Sequence, residues 1–153
     1  MKKLLAFVLL ASVVLATPAF AADPVVGTWK LNVAKSKLAA GSALSAGSRT
    51  YRESNGTYTL KQSVTTADGK TTSSTAKYRD GVEVKQPAGS VADSVIAKKV
   101  DAATWDFDLK KDGKVAGHVH RTVSADGNTL TIQQSGARLG VGKGEETLVF
   151  DRQ

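Results

Sequence analysis

Val25-Val26-Gly27-Thr28-Trp29-Lys30-Leu31-Asn32 is the stretch whose reading decides the fold. Val25, Gly27, Trp29 and Leu31 share one parity; Thr28, Lys30 and Asn32 share the other. A period of two is the pattern of a half-buried strand. Gly27 stands two residues before a bulky indole, and a glycine inside a strand marks a bulge or the close approach of another group. A Trp at the start of a first strand suits the plug of a barrel end, with its N–H on a carbonyl. At the far end, Leu148-Val149-Phe150-Asp151-Arg152 reads as a last strand.

What precedes the octet bears on compartment. Met1-Lys2-Lys3 leads into an apolar run from Leu4 to Leu15, then Thr17-Pro18-Ala19-Phe20-Ala21-Ala22. A basic start, a short apolar stretch and small residues at the cut make a signal peptide, residues 1–21, with cleavage after Ala21 or Ala22. The expected location is the periplasm or the exterior, and the run is too short to span a bilayer. No Cys follows the cleavage site, and the chain has no Cys at all. A disulfide framework is therefore excluded, and residues 22–153, one domain by length, must stand on their core. Without Lys2 and Lys3 the formal charge falls from +7 to +5. The cations are interleaved with Asp and Glu, which reads as a solvated surface rather than a nucleic-acid patch.

From Arg49 onward the chain alternates strand and turn. Asn55-Gly56, Asp68-Gly69, Asp80-Gly81, Asp112-Gly113 and Asp126-Gly127 separate short apolar-polar runs. Asn-Gly and Asp-Gly are strong hairpin signals because both turn positions need positive φ. Val33 to Ser48, rich in Ala, Ser and Gly, is the least strand-like segment and predicts a loop with at most a helical turn or two over Lys35 to Ala40. Gly136 to Gly144 holds four glycines and predicts a second loop. The fold class is all-β: an antiparallel up-and-down barrel of about eight to ten strands with little helix after the leader, a β-sandwich being the runner-up. Closing such a meander pairs the first strand with the last and removes both sheet edges.

The Gly-Thr-Trp-Lys-Leu opening and the Leu148-to-Arg152 close resemble the calycin superfamily, the lipocalins and fatty-acid-binding proteins. The Trp-Lys-Leu-Asn start followed by Ala34-Lys35-Ser36-Lys37 is also similar to bacterial exported lipocalin-like proteins. The resemblance covers two short ends, with strand rhythm between them. It implies a ligand-holding lumen and a structural role for Gly27, Trp29 and Arg152, the guanidinium of Arg152 packing across Trp29. It also implies a luminal Arg within about one residue of Arg121. The Arg and Tyr pair that those fatty-acid-binding barrels carry on the closing strand is replaced here by Leu148 and Phe150, which argues against a fatty-acid carboxylate clamped in the usual way.

Parity sorts the side chains. Trp29, Leu31, Tyr58, Leu60, Gln62, Val64, Ala76, Tyr78, Val82, Val84, Trp105, Phe107, Leu109, Val115, Val119, Arg121, Val123, Leu130, Ile132, Gln134, Leu148 and Phe150 are expected inside. Filling of that kind leaves room for a ligand. Tyr58, Tyr78, Trp105, Phe107 and Arg121 are the expected ligand-binding residues. An inward guanidinium needs a partner, either a ligand anion or a protein acid such as Glu53 or Asp108. His118 and His120 share a face and are weak metal candidates that need a third ligand such as Asp106 or Asp108; otherwise they sit on the solvent face. No catalytic constellation is present, so the reading is no enzyme and no cofactor. The expected partner is a small apolar or amphipathic molecule in the lumen, with no nucleic acid and no stable membrane insertion. The alternative is an envelope protein partner or an inhibitor function, held by the loops Val33 to Ser48 and Gly136 to Gly144.

Overall fold

A computed structural model describes residues 23–136 and 144–153. The leader and most of the four-glycine loop lie outside the described residues. Ten strands follow in chain order: β1 Gly27–Leu31, β2 Leu44–Ser54, β3 Thr57–Thr66, β4 Thr71–Tyr78, β5 Glu83–Lys85, β6 Ser94–Lys99, β7 Thr104–Lys111, β8 Lys114–Val123, β9 Thr129–Gly136 and β10 Glu146–Arg152. They form one antiparallel sheet in the order β4-β3-β2-β1-β10-β9-β8-β7-β6-β5. The sheet curls into a nearly closed barrel. Hairpin chemistry sets the local steps: Asn55 and Gly56 have φ of 51° and 74°, and Asp112 and Gly113 have 50° and 74°. Two consecutive positive φ values give the primed turn whose twist matches the strands.

The first and last strands do meet. Trp29 lies opposite Arg152, Lys30 opposite Asp151 and Leu31 opposite Phe150. Trp29 is fully buried and donates its indole N–H to Val25 O at 2.8 Å. The Arg152 guanidinium lies 4.2 Å from the Trp29 ring centroid. Its three nitrogens donate to the carbonyls of Gly127, Val26 and Pro24. One side chain thus gathers three chain segments over the plug. Gly27 makes room for it: a Cβ there would stand 2.8 Å from Arg152 Nη1, and φ is +136°.

The closure differs from expectation in one place. Pairing β1 with β10 leaves β4 and β5 as the two ends of the sheet, without a ladder between them. β5 has only three residues, and Pro87 lacks the N–H that a longer strand would use. Gln86 covers the gap instead. Its Oε1 accepts from Lys77 N at 3.1 Å, and its Nε2 donates to Lys77 O at 2.8 Å and Val84 O at 2.9 Å. A side-chain amide here stands in for the missing backbone partner. An isolated bridge between Arg79 and Val82 holds the turn below it.

Three local expectations are corrected. β2 begins at Leu44, inside the segment read as a loop; Ala46 and Gly47 pair with Thr65 and Val64 of β3, so the partner strand rather than composition sets the start. The helical turn is a single 3₁₀ turn, Val33–Lys35, capped by the Asn32 side chain, which accepts from Lys35 N. Val115 and Val82, expected inside, are both 47% exposed. The register of β7 with β8 slips between Leu109 and Lys110, so Leu109 faces Gly117 while Lys110 faces Val115. One inserted residue reverses the parity beyond it. Val82 lies in the turn before β5.

Two outcomes follow. Arg152→Ala is expected to cost about 2–4 kcal/mol by leaving three carbonyls unmet and the plug uncovered, read as a fall in the urea midpoint. Gln86→Ala is expected to speed hydrogen exchange at the Lys77 amide while amides in the full β2–β3 ladder stay protected.

Candidate functional site

The barrel encloses a cavity of about 150 Å³. Leu44, Leu60, Val64, Leu109 and Leu148 give it an apolar wall, and it reaches Ser90 and Ala92 in the loop after β5. That is the end of the barrel away from the 55–56 turn. Polar groups enter at few points: Arg49, Gln62, Arg121 and Gln134 all line it. A mostly apolar space with a few placed polar groups is the form of a small-molecule site.

Arg121 is the unusual member. It is 2% exposed, on β8 between Val119 and Val123. Its Nη1 donates to Tyr78 Oη at 2.6 Å, while Nε and Nη2 have no hydrogen-bond partner. Aromatic rings surround it: Tyr51, Tyr78, Trp105 and Phe107 have centroids 5.1, 5.5, 5.5 and 5.2 Å from its Cζ. Four π faces soften the cost of burying a cation. They do not supply a counter-charge. Burial pushes the Tyr78 phenol well above its ordinary range, against the opposing pull of Arg121, so Tyr78 stays neutral. Neither acid considered from the sequence pairs with Arg121. Asp108 holds His118, and Glu53 accepts from Gly56 N. The unpaired Nε and Nη2 form the guanidinium edge that a carboxylate or phosphate grips with two parallel hydrogen bonds.

The structure places the other expected ligand residues in two groups. Tyr78 and Phe107 line the cavity beside Arg121. Tyr58 and Trp105 stand behind them, outside the lining of the unliganded cavity. Tyr58 stacks on Tyr78 with centroids 5.0 Å apart, and Trp105 meets both rings edge-on. Tyr58 is drawn away by a buried acid: its hydroxyl donates to Asp23 Oδ2 at 2.9 Å, where Lys99 Nζ also lies at 3.0 Å. Trp105 is 1% exposed, and its Nε1 has no hydrogen-bond partner.

Arg49 was not foreseen. It shares a face of β2 with Tyr51, donates from Nη1 to Tyr51 Oη at 3.4 Å, and lies 5.1 Å from the Phe150 centroid. The signal was there in its parity with Tyr51, within the strand read from Arg49 onward, but neither residue of that face was assigned to the lumen. The histidines are on the outer face. His118 Nδ1 lies 2.7 Å from Asp108 and His120 Nδ1 2.6 Å from Asp106. The aspartates orient the rings rather than completing a ligand set, and among the described residues no group of three or more His, Cys, Asp or Glu could hold a metal ion.

With this geometry in view, the chain was compared with known proteins. No protein-family model and no curated protein sequence matches it. Solved structures do. The fluorescent protein UnaG is 17% identical, with a TM-score of 0.57 over 84% of this chain and 96% of that one. The fold shared with it is an antiparallel β-barrel. A Schistosoma mansoni fatty-acid-binding protein in complex with arachidonic acid is 15% identical, with a TM-score of 0.56 over 85% and 96% of the two chains. The apo lipid-binding protein 8 of Caenorhabditis elegans is 10% identical, with a TM-score of 0.60 over 87% and 98%. At these identities the likeness carries the barrel fold alone.

Asp23 gives a pH test of the barrel floor. Burial alone would raise its pKa, but hydrogen bonds from Val25 N, Lys99 and Tyr58 outweigh it and leave the carboxyl below its ordinary value. A depressed folded pKa contributes stability above the unfolded value, about 3.9, that is lost as pH falls through the folded one. Asp23→Asn is therefore expected to flatten the loss of stability below about pH 4 in acid-unfolding curves.

Proposed function

We propose that this is an exported calycin-like barrel that binds a small amphipathic molecule in its lumen, the apolar part against the aliphatic wall and an acidic head on Arg121. The observation that carries the reading is a buried guanidinium, with Nε and Nη2 unpaired, in the wall of a partly open apolar cavity. A cation 2% exposed with no acid beside it is a poor structural device, since burying an unpaired charge costs several kcal/mol. It is a good device for a site that a ligand's own charge completes. The names of similarly folded proteins, a fatty-acid-binding protein in complex with arachidonic acid and a lipid-binding protein, support the class of ligand. The open cavity favours the lumen over the loops as the site of binding. Binding without conversion is the proposed activity, and the periplasm or the exterior the proposed location.

The test separates a ligand anchor from a structural pillar. Protein purified from the exported fraction is analysed by native mass spectrometry, and octanoate binding is measured by calorimetry. Arg121→Met is expected to weaken octanoate binding by about tenfold or more, while the unliganded protein keeps its stability or gains about 1–2 kcal/mol. Unchanged binding together with a clear loss of stability would show that Arg121 serves only the fold.

A further inference from the structure

Two arginines line the lumen, with Lys77 bordering it from an exposed position. Arg49 on β2 and Arg121 on β8 come from opposite walls, and both reach Tyr51: Arg49 through its hydroxyl at 3.4 Å, Arg121 over its ring at 5.1 Å. Tyr51 is itself 2% exposed and stands between the two guanidinium groups, with Arg121 buried and Arg49 half-buried. Both line the same cavity. Neither forms an ion pair: the described salt bridges use Lys35, Lys99, Lys110, Lys111 and the two histidines, all with other acids. The remaining polar lining offers little compensation. Gln62 donates to Ser74, and Gln134 donates to Glu146, which lies inside the wall and also meets Ala39 N.

A single carboxylate on Arg121 would leave Arg49 without a counter-charge in a largely apolar space. Coulomb energy grows as the local dielectric falls, so a second cation in such a space discriminates strongly by ligand charge. Arg49 sits two residues before Tyr51 on the same face of β2, nearer Leu44 and the end that the cavity reaches. A head group gripped by the free edge of Arg121 would present its outer oxygens towards Arg49, with the apolar tail directed past it.

We infer that the ligand's head group carries two negative charges, and that Arg49 selects it over a singly charged acid of the same chain length. The inference rests on the luminal reading above. The chemistry required is a compact dianion, which a phosphomonoester or a geminal dicarboxylate would supply. Arg121 anchors either kind of acid; Arg49 reads the second charge.

The experiment is calorimetry with octyl phosphate, octylmalonate and octanoate on wild type, Arg49→Gln, Arg49→Lys and Arg121→Met, at about pH 8, where a phosphomonoester has lost its second proton. The expected result is that wild type binds at least one dianion about tenfold or more tighter than octanoate. Arg49→Gln is expected to weaken the dianions far more than octanoate and so erase that preference, Arg49→Lys to retain part of it, and Arg121→Met to weaken all three. Which dianion wins distinguishes phosphate from dicarboxylate. Equal affinity for octanoate and both dianions in wild type would overturn the inference and leave the luminal reading standing. So would an Arg49→Gln variant that weakens every ligand alike. Binding of none of the three, with a folded protein, would overturn both.

Discussion

The barrel depends on one constraint: its two terminal strands must be held side by side. Three residue pairs make the β1–β10 ladder, which is short for a joint that the rest of the sheet relies on. Arg152 makes up the difference. It covers Trp29, collects carbonyls from Pro24, Val26 and Gly127, and fits only because position 27 has no side chain. A planar guanidinium with five donors can do this where an ammonium cannot. With the floor fixed in this way, the strands above it can diverge without collapsing the space between them.

That space is where the molecule departs from what stability alone would favour. Two arginines face one cavity from opposite walls, one of them almost wholly withdrawn from water and neither paired with an acid. The same residue type thus plays opposite parts at the two ends of the barrel. Arg152 has its nitrogens occupied by carbonyls, whereas Arg121 keeps two of its nitrogens unoccupied. Fully satisfied polar groups rigidify a structure, and buried unsatisfied ones are costly and call for an explanation.

Much of this was legible in the chain because a strand's period of two is strict. Trp29, Tyr78, Phe107 and Arg121 were assigned inward by parity alone, and Arg152 was placed on Trp29 by resemblance. The misreadings have physical causes. Val115 points outward because one inserted residue on β8 reverses the alternation, at a segment whose Gly117 is the kind of strand glycine that marks a bulge. The start of β2 escaped because it lies among Ser, Ala and Gly, whose place in a sheet is decided by β3 opposite, and a short strand from Arg49 left the inward face of Arg49 and Tyr51 unread. The β4–β5 gap is a property of strand length and a proline, and its cover by Gln86 depends on a side-chain torsion that no pattern encodes.

The gap between β4 and β5 gives the molecule an uncommon circuit. Around the ring, neighbouring strands are held by backbone ladders everywhere except at β4–β5, and they are joined by covalent chain everywhere except at β1–β10. The two interruptions lie almost diametrically opposed. Where the ladder is missing the peptide chain runs through the 79–82 turn, and where the chain is missing the ladder runs through Trp29 and Arg152. The circumference is therefore never cut in both respects at one point. Each seam is bridged by the kind of link that the other lacks.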